Sequence, residues 1–191
     1  MDFAAAIAAI AASSLWLVCE LAVLKGKRAA DKSADKKDYV FMYFIQAATA
    51  GAGIFLGYFF KMTQSGLYNP SPVFPLAGAA LLFAGVAIRL TAISRLKEFF
   101  TVNIAIRENH RLITEGLYKT IRHPAYTGQL MCFAGLGLQF GDPFLFMLVF
   151  LPDLILILLR IRREEAMLAA NFGQAYAEYR ARTKKLIPHI F

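Results

Sequence analysis

Long apolar runs dominate the pattern of hydrophobic and polar positions along this chain of 191 residues. A helix needs about 20 mainly apolar residues to cross the hydrocarbon core of a bilayer. The five apolar runs are Phe3–Leu24, Tyr39–Phe60, Val73–Leu96, Ala125–Phe140 and Pro143–Leu159. The pattern therefore predicts about five transmembrane helices, of which the last two are near the lower limit for crossing.

The two short runs are predicted to form a tight helical hairpin, because only Gly141 and Asp142 separate them. Beyond the fifth run, apolar residues recur at helical spacing: Leu168, Phe172, Ala175 and Tyr179. This periodicity predicts an amphipathic, cytoplasmic C-terminal helix, interrupted at Gly173, that lies along the membrane or folds back over the bundle. We therefore expect an all-α integral membrane protein. Residues 1–191 would form one membrane domain, with three spans in 1–100 and the chemistry in 101–191.

The charges refine this topology. The chain is 58% hydrophobic and 18% charged, yet it carries a formal charge of +8 from 21 basic and 13 acidic residues. Nineteen of the 21 basic residues lie in three polar segments, residues 25–38, 95–124 and 160–191. By the positive-inside rule these segments are cytoplasmic, with the N-terminus outside and the C-terminus in the cytoplasm. Topology and contact with anionic membrane lipids then explain the charge, and no nucleic-acid partner is needed.

Besides Arg95 at the very end of the third run, three charged residues fall within the apolar runs, where an unpaired charge is costly. Glu20 and Arg89 lie near the cytoplasmic ends of their spans, so a structural ion pair or snorkelling would explain them. Asp153 lies in the middle of its span and either pairs with Arg89 or marks a polar path. A polar path through Asp153 and Glu20 would indicate a small transporter or a membrane interaction protein, which is the alternative class.

Glycines around Gly53 and Gly137 superficially resemble a dinucleotide-binding fingerprint. Such a fingerprint must follow a strand and open a helix in a βαβ unit, and these glycines lie inside apolar runs. We therefore expect them to permit close helix packing.

The densest polar and aromatic stretch runs from Gly116 to Gly128. Pro124 suits the first turn of the following helix and keeps His123 out of the helical conformation. His123 and the preceding arginine are thereby held at a helix N-terminus, which favours anions. Alternatively, the two basic residues are interfacial anchors, and Tyr118 and Tyr126 form part of an aromatic belt. The residues alone leave both interpretations open.

A second polar stretch, Arg-Ile-Arg-Arg-Glu-Glu, covers residues 160–165 directly after the fifth run. Arg160 and Glu164 are four residues apart on a helix, so a surface salt bridge is the simplest explanation. If the C-terminal helix folds back, however, Glu164 and Glu165 come to lie opposite the His123 segment.

In this order, the motifs resemble those of the isoprenylcysteine carboxyl methyltransferase family and, in part, those of the related phospholipid N-methyltransferases. The resemblance covers residues 112–188. It rests on Leu112-Ile-x-x-Gly116-Leu-Tyr118, Arg122-His123-Pro124-x-Tyr126-x-Gly128, Glu164-Glu165, Phe172-Gly173, Tyr176-x-x-Tyr179 and Leu186-Ile-Pro188. It implies a multi-pass enzyme that uses S-adenosyl-L-methionine to methylate a lipid-attached acceptor, most of all the carboxylate of an isoprenylated cysteine. A phospholipid or another small lipid is the second candidate acceptor.

The resemblance also implies the site. The cofactor-pocket candidates are Gly116, Leu117, Tyr118, His123, Tyr126, Glu164 and Glu165. Arg160 or Arg163 would orient an acceptor carboxylate, and Arg160 ranks first because it lies where the span meets the cytosol. An amine acceptor would need a base, which Glu165 or His123 would supply. No metal is expected. Eukaryotic members usually carry extra spans, so about five spans indicate a prokaryotic plasma-membrane protein, or an endoplasmic reticulum protein in a eukaryote.

Overall fold

The computed structural model describes residues 3–28, 37–63, 71–97, 100 and 111–191. Most of the basic connector after the first helix therefore lies outside the described residues. The helices are α1 (Phe3–Arg28), α2 (Lys37–Met62), α3 (Val73–Leu96), a short 3₁₀ helix (Gly116–Lys119), α4 (Pro124–Leu138) and α5 (Pro143–Arg182). Within the described ranges the only β-type pairing is an isolated bridge. The predicted all-α membrane architecture is confirmed.

Four of these helices are long and apolar enough to span a bilayer, namely α1, α2, α3 and α5. By contrast, α4 has 15 residues, so it is about 22 Å long, whereas the hydrocarbon core is about 30 Å thick. The fourth predicted run is therefore the one that falls short, because its helix ends at Leu138 and a turn follows. The fifth run continues past Leu159 within α5, which covers 40 residues and has one break, at Gly173.

The predicted hairpin between α4 and α5 is confirmed. Gly141 adopts a left-handed backbone conformation (φ +64°), which a residue with a side chain rarely adopts. Asp142 then caps α5, because its side chain accepts a hydrogen bond from the Leu145 backbone N–H at 2.8 Å. Pro143 occupies the first helical position, where no backbone N–H is needed. The reversal thus follows from three adjacent residues.

Glycines hold α3 and α4 in direct backbone contact. A Cβ added at Gly128 would lie 2.6 Å from the Gly85 carbonyl oxygen, and one added at Gly135 would lie 2.6 Å from the Gly78 carbonyl oxygen. The glycine at position 53 packs in the same way, since its Cβ would meet the Val149 side chain at 2.5 Å. The predicted role in packing is therefore confirmed for Gly53, Gly135 and Gly137 but not for Gly51, where a Cβ would meet no atom within 4 Å.

A buried ion pair joins α3 to α1. The Arg89 guanidinium donates from Nε and Nη2 to the two carboxylate oxygens of Glu20, and its Nη1 donates to the Ala125 carbonyl oxygen at 3.1 Å. The structural pair expected for Glu20 and Arg89 is thus present. It also links both helices to the first turn of α4, directly after the Arg-His-Pro motif.

The long helix α5 breaks at Gly173, as the sequence predicts. The backbone there has φ +50° and ψ −121°, and the chain beyond it returns to the start of α4. The break shifts the helical phase, so the buried residues of the last segment are Tyr176 and Tyr179. The prediction that Ala175 faces inward is wrong, because it assumed one continuous phase across Gly173.

Candidate active site

The Arg-His-Pro segment is fixed by the returning C-terminal chain. Backbone N–H groups of Arg122 and His123 donate to the carbonyl oxygens of Lys184 (2.7 Å) and Lys185 (3.0 Å), and the Lys184 N–H donates to the Thr120 carbonyl. His123 has a non-helical backbone (φ −125°, ψ 56°) and precedes Pro124, the first residue of α4. The two basic side chains are therefore held rigidly at the start of α4.

A buried ion pair connects this segment to α5. Arg122 Nε donates to Glu165 Oε1 at 2.8 Å, and Arg122 Nη1 donates to the Thr183 carbonyl oxygen. His123 Nε2 lies 3.4 Å from the same Glu165 oxygen, and the Lys185 ammonium lies 3.9 Å from the other. The predicted approach of the Glu-Glu pair to His123 is thus present, and Glu165 is surrounded by basic groups.

Tyr126 connects Glu164 with Arg160. Its hydroxyl donates to Glu164 Oε2 at 2.7 Å and accepts a hydrogen bond from Arg160 Nε at 2.6 Å. The Arg160 guanidinium also lies 5.8 Å from the centre of the Tyr126 ring, and its Nη1 is 3.9 Å from Met42 Sδ on α2. A single hydroxyl therefore joins a carboxylate to a guanidinium, and α2 closes this side of the site.

The two glutamates differ in their surroundings. The Glu164 side chain is 29% exposed, whereas that of Glu165 is 10% exposed. His123 stands between them, with Nδ1 3.9 Å from a Glu164 oxygen. The His123 ring also stacks on Tyr126 with 5.7 Å between centroids. Glu164 consequently has a carboxylate surface left for a ligand, while Glu165 is mainly used in holding the basic groups.

The Gly116–Tyr118 segment packs against α3, and it is joined to the C-terminal chain where the Tyr118 carbonyl oxygen accepts a hydrogen bond from the Tyr179 hydroxyl at 2.7 Å. Gly116 is left-handed (φ +61°), and Leu117 packs with Tyr118 against Ala92 of α3. The Tyr118 hydroxyl donates to the Ala92 carbonyl at 3.4 Å. Burial raises the pKa of the Tyr118 phenol above its usual range, so that the hydroxyl stays neutral.

The structure separates the two arginines that the sequence proposes for the acceptor. Arg160 is half-buried and bonded to Tyr126, whereas Arg163 lies on the exposed face of α5. Sequence reasoning missed two contributors to the site, Thr183 and Lys185, and it did not predict the contact of Met42 with Arg160. Only position could have indicated Thr183 and Lys185, since they lie within three residues before the Leu-Ile-Pro motif. In the described part of the chain, no three His, Cys, Asp or Glu side chains are grouped to hold a metal ion.

The fold and the site together define a multi-pass helical membrane protein with a buried ionic cluster at one end of the bundle. The model of the phospholipid methyltransferase family matches residues 73–175, from the start of α3 to just beyond Gly173. The chain belongs to this family.

Relatives within the family confirm the resemblance to isoprenylcysteine methyltransferases. Protein-S-isoprenylcysteine O-methyltransferase B of Arabidopsis thaliana is 33% identical over 115 residues, which cover 59% of this chain and 58% of the relative. The Schizosaccharomyces pombe protein-S-isoprenylcysteine O-methyltransferase is 31% identical over 123 residues, or 62% and 51% of the two chains. The solved structure of a eukaryotic intramembrane Ras methyltransferase, ICMT, matches 82% of this chain and 55% of that chain, with a TM-score of 0.61 and 25% identity. This chain thus spans little more than half the length of these proteins.

Proposed function

We propose that the protein is a membrane methyltransferase that uses S-adenosyl-L-methionine to methylate a lipid-attached carboxylate, most of all the C-terminal carboxylate of an isoprenylated cysteine. The observation that carries this proposal is the Tyr126 hydroxyl, which accepts from Arg160 and donates to Glu164. The hydrogen bonds through this hydroxyl hold Arg160, a cation suited to an acceptor carboxylate, beside Glu164, an anion suited to the cofactor. The names of the relatives support the same substrate class.

The donor set fits the cofactor. Glu164 would accept hydrogen bonds from ribose hydroxyls or the α-ammonium group. Lys185, whose side chain is 26% exposed, would bind the cofactor's carboxylate. His123 would keep Glu164 and Glu165 in place, with the aromatic ring of Tyr126 beside them. Gly116, Leu117 and Tyr118 would form the opposite wall of the pocket.

The reaction requires little of the protein beyond positioning the methyl donor and the acceptor. S-adenosyl-L-methionine supplies an electrophilic methyl group on a sulfonium. Transfer of that methyl group would be an in-line displacement, in which the O–CH₃ bond to the acceptor would form as the S–CH₃ bond broke, with S-adenosylhomocysteine as the second product. An acceptor carboxylate is already ionised at neutral pH and needs no base. Arg160 would orient it by a bidentate contact, and the buried site would exclude water.

The second candidate is an amine of a phospholipid, which the family's name favours. An amine must lose a proton, so this reaction requires a base from Glu165 or His123. Glu165 already faces Arg122, His123 and Lys185, and these positive neighbours weaken it as a base. We therefore rank the carboxylate acceptor first.

The substrate's lipid tail explains why the site lies in a membrane protein. We propose that the tail stays among the membrane lipids while its polar head meets the cofactor at the cytoplasmic face. The distribution of basic residues supports this orientation.

Two measurements test the proposal. Calorimetry with S-adenosylhomocysteine on detergent-purified protein should detect binding, and the absence of binding at millimolar ligand would rule out the enzyme. Transfer of a labelled methyl group should then be faster to a farnesylcysteine analogue than to phosphatidylethanolamine. The reverse order would establish the amine acceptor instead.

A further inference from the structure

A second polar layer lies deeper in the bundle, where α2, α4 and α5 meet. Asp153 on α5 is fully buried, and its Oδ1 accepts hydrogen bonds from the side-chain amides of Gln46 on α2 and Gln129 on α4. The sequence suggested Arg89 as one partner for this carboxyl, but the Arg89 guanidinium is bonded to Glu20 and to a backbone carbonyl instead. Asp153 therefore ties two other helices to α5.

The deeper layer repeats the site layer on the same three helix faces. The site layer consists of Met42, Tyr126 and Arg160. The deeper layer consists of Gln46, Gln129 and Asp153. Their offsets are four residues on α2, three on α4 and seven on α5, and residues at these spacings share one face of a helix. The same helix contacts thus occur twice, once at the site and once below it.

Polar contacts specify the axial register between packed helices better than apolar contacts do. The neighbours of Asp153 one turn away on α5, Val149 and Ile157, are buried and apolar, and such surfaces tolerate sliding. A shift of one turn would leave Asp153 and both glutamines without partners in an interior that offers no water. A single buried polar contact can set register in this way.

We propose that Asp153 is a positioning residue that fixes the register of α5 against α2 and α4, and thereby holds the Arg160 guanidinium at the Tyr126 hydroxyl. The assignment of Arg160 to the acceptor rests on the proposed function, whereas the register itself does not. Among the described residues, the hydrogen bonds of this carboxyl use Asp153 Oδ1, and Oδ2 has no hydrogen-bond partner there. An asparagine, which retains the accepting oxygen, should therefore substitute for Asp153, and a leucine should not.

Three variants test this role in the intact chain. Asp153→Leu removes the acceptor, Asp153→Asn keeps it, and Val149→Ala is the control, since it removes buried packing one turn away without touching the polar layer. For Asp153→Leu we expect the KM for a farnesylcysteine analogue to rise about tenfold or more, with the Kd for S-adenosylhomocysteine within about threefold of wild type. Asp153→Asn should stay within about threefold in both quantities, and Val149→Ala should lower only thermal stability.

Two results would overturn the proposal: an unchanged acceptor KM in Asp153→Leu, or a parallel loss of acceptor and cofactor affinity that Asp153→Asn does not restore. Hydrogen exchange of the α5 peptide around Arg160 supplies a readout that needs neither cofactor nor acceptor. We expect faster exchange in Asp153→Leu alone, and equal protection in all variants would refute the register role. A wild-type protein without turnover would count against the proposed function, while the exchange result would still decide the register.

Discussion

Glu164 and Glu165 are neighbours in the sequence, yet they face different chemical surroundings. Glu165 is largely buried against Arg122, His123 and Lys185, whereas Glu164 bonds Tyr126 and remains partly exposed. The sequence motif treats the two carboxylates as equivalent. The contacts divide the work between them, with Glu165 organising the site and Glu164 free to meet a ligand.

Substitution of each glutamate by glutamine should separate these roles. Glu164→Gln keeps an oxygen for Tyr126 but loses a charge, so we expect the Kd for S-adenosylhomocysteine to rise about tenfold with an unchanged melting temperature. Glu165→Gln leaves the Arg122 charge buried and uncompensated, which should lower the melting temperature and stability by about 3 kcal/mol or more. Calorimetry and thermal unfolding in detergent measure both. Cofactor affinity within about threefold of wild type in both variants would contradict any role in the pocket.

The site was predictable in its motifs but not in its partners. Pro124 fixes the backbone conformation of His123 at the start of α4. Glu164 lies shortly after the fifth run, so its place on the neighbouring helix α5 also follows from the nearby sequence. Met42 lies 118 residues from Arg160, and its contact depends on how α2 packs against α5. Such a contact has no local signal, because any apolar residue could occupy that position in the pattern.

At the scale of elements, the break at Gly173 decides whether the C-terminal chain reaches the site. Its φ of +50° is strained for any residue with a side chain, although a Cβ there would meet no atom within 4 Å. We therefore expect Gly173→Ala to cost about 1–2 kcal/mol and to favour a straight helix that pulls residues 184–185 from the Arg-His-Pro segment. The expected result is weaker cofactor binding in calorimetry with normal membrane insertion. Wild-type affinity in this variant would show that the break is not required.

The glycine contacts between α3 and α4 make a prediction with a different cause, because there the limit is space and not backbone conformation. Gly135→Ala would push a Cβ against the Gly78 carbonyl and should destabilise the protein by about 1–3 kcal/mol. Gly51→Ala is a matched control, since a Cβ at that position meets nothing within 4 Å. It should be neutral or raise stability by about 0.5–1 kcal/mol. Thermal unfolding of both variants in the same detergent compares them, and equal melting temperatures would contradict the close contact.

Hydropathy predicts the long helices because length and the lack of charge suffice. It does not predict the end of α4 at Leu138 or the change of direction that α5 makes at Gly173. Both depend on local backbone geometry at glycines, at Gly141 and Gly173. A periodic pattern contains no information about a change of helical phase. This is why the spacing predicts Ala175 on the buried face, although the residue is exposed.

On the scale of the whole molecule, the helices alternate in direction. Phe140, at the hairpin, packs against Gly57 near the far end of α2, while Met42 at the near end meets Arg160. The ionic site and the hairpin therefore lie at opposite ends of the bundle. This arrangement agrees with the alternation of basic and weakly charged segments along the sequence.

Cysteine labelling tests which end faces the cytoplasm. With Cys19 and Cys132 replaced by alanine, a cysteine at Thr63 should react with an impermeant maleimide on intact cells. One at Gln174 should react only after permeabilisation. Both side chains are exposed, so access to the reagent is not the limit. The opposite labelling pattern would place the site outside and contradict the orientation.

The shared hydroxyl of Tyr126 has a consequence for how each ligand changes the affinity of the other. If the cofactor binds Glu164 and the acceptor binds Arg160, each ligand restricts the motion of the Tyr126 side chain. Binding of the second ligand then costs less conformational entropy. Linkage then requires that S-adenosylhomocysteine tighten acceptor binding by the same factor as the acceptor tightens S-adenosylhomocysteine binding. The two sites would thus be one cooperative unit, coupled through a single oxygen atom.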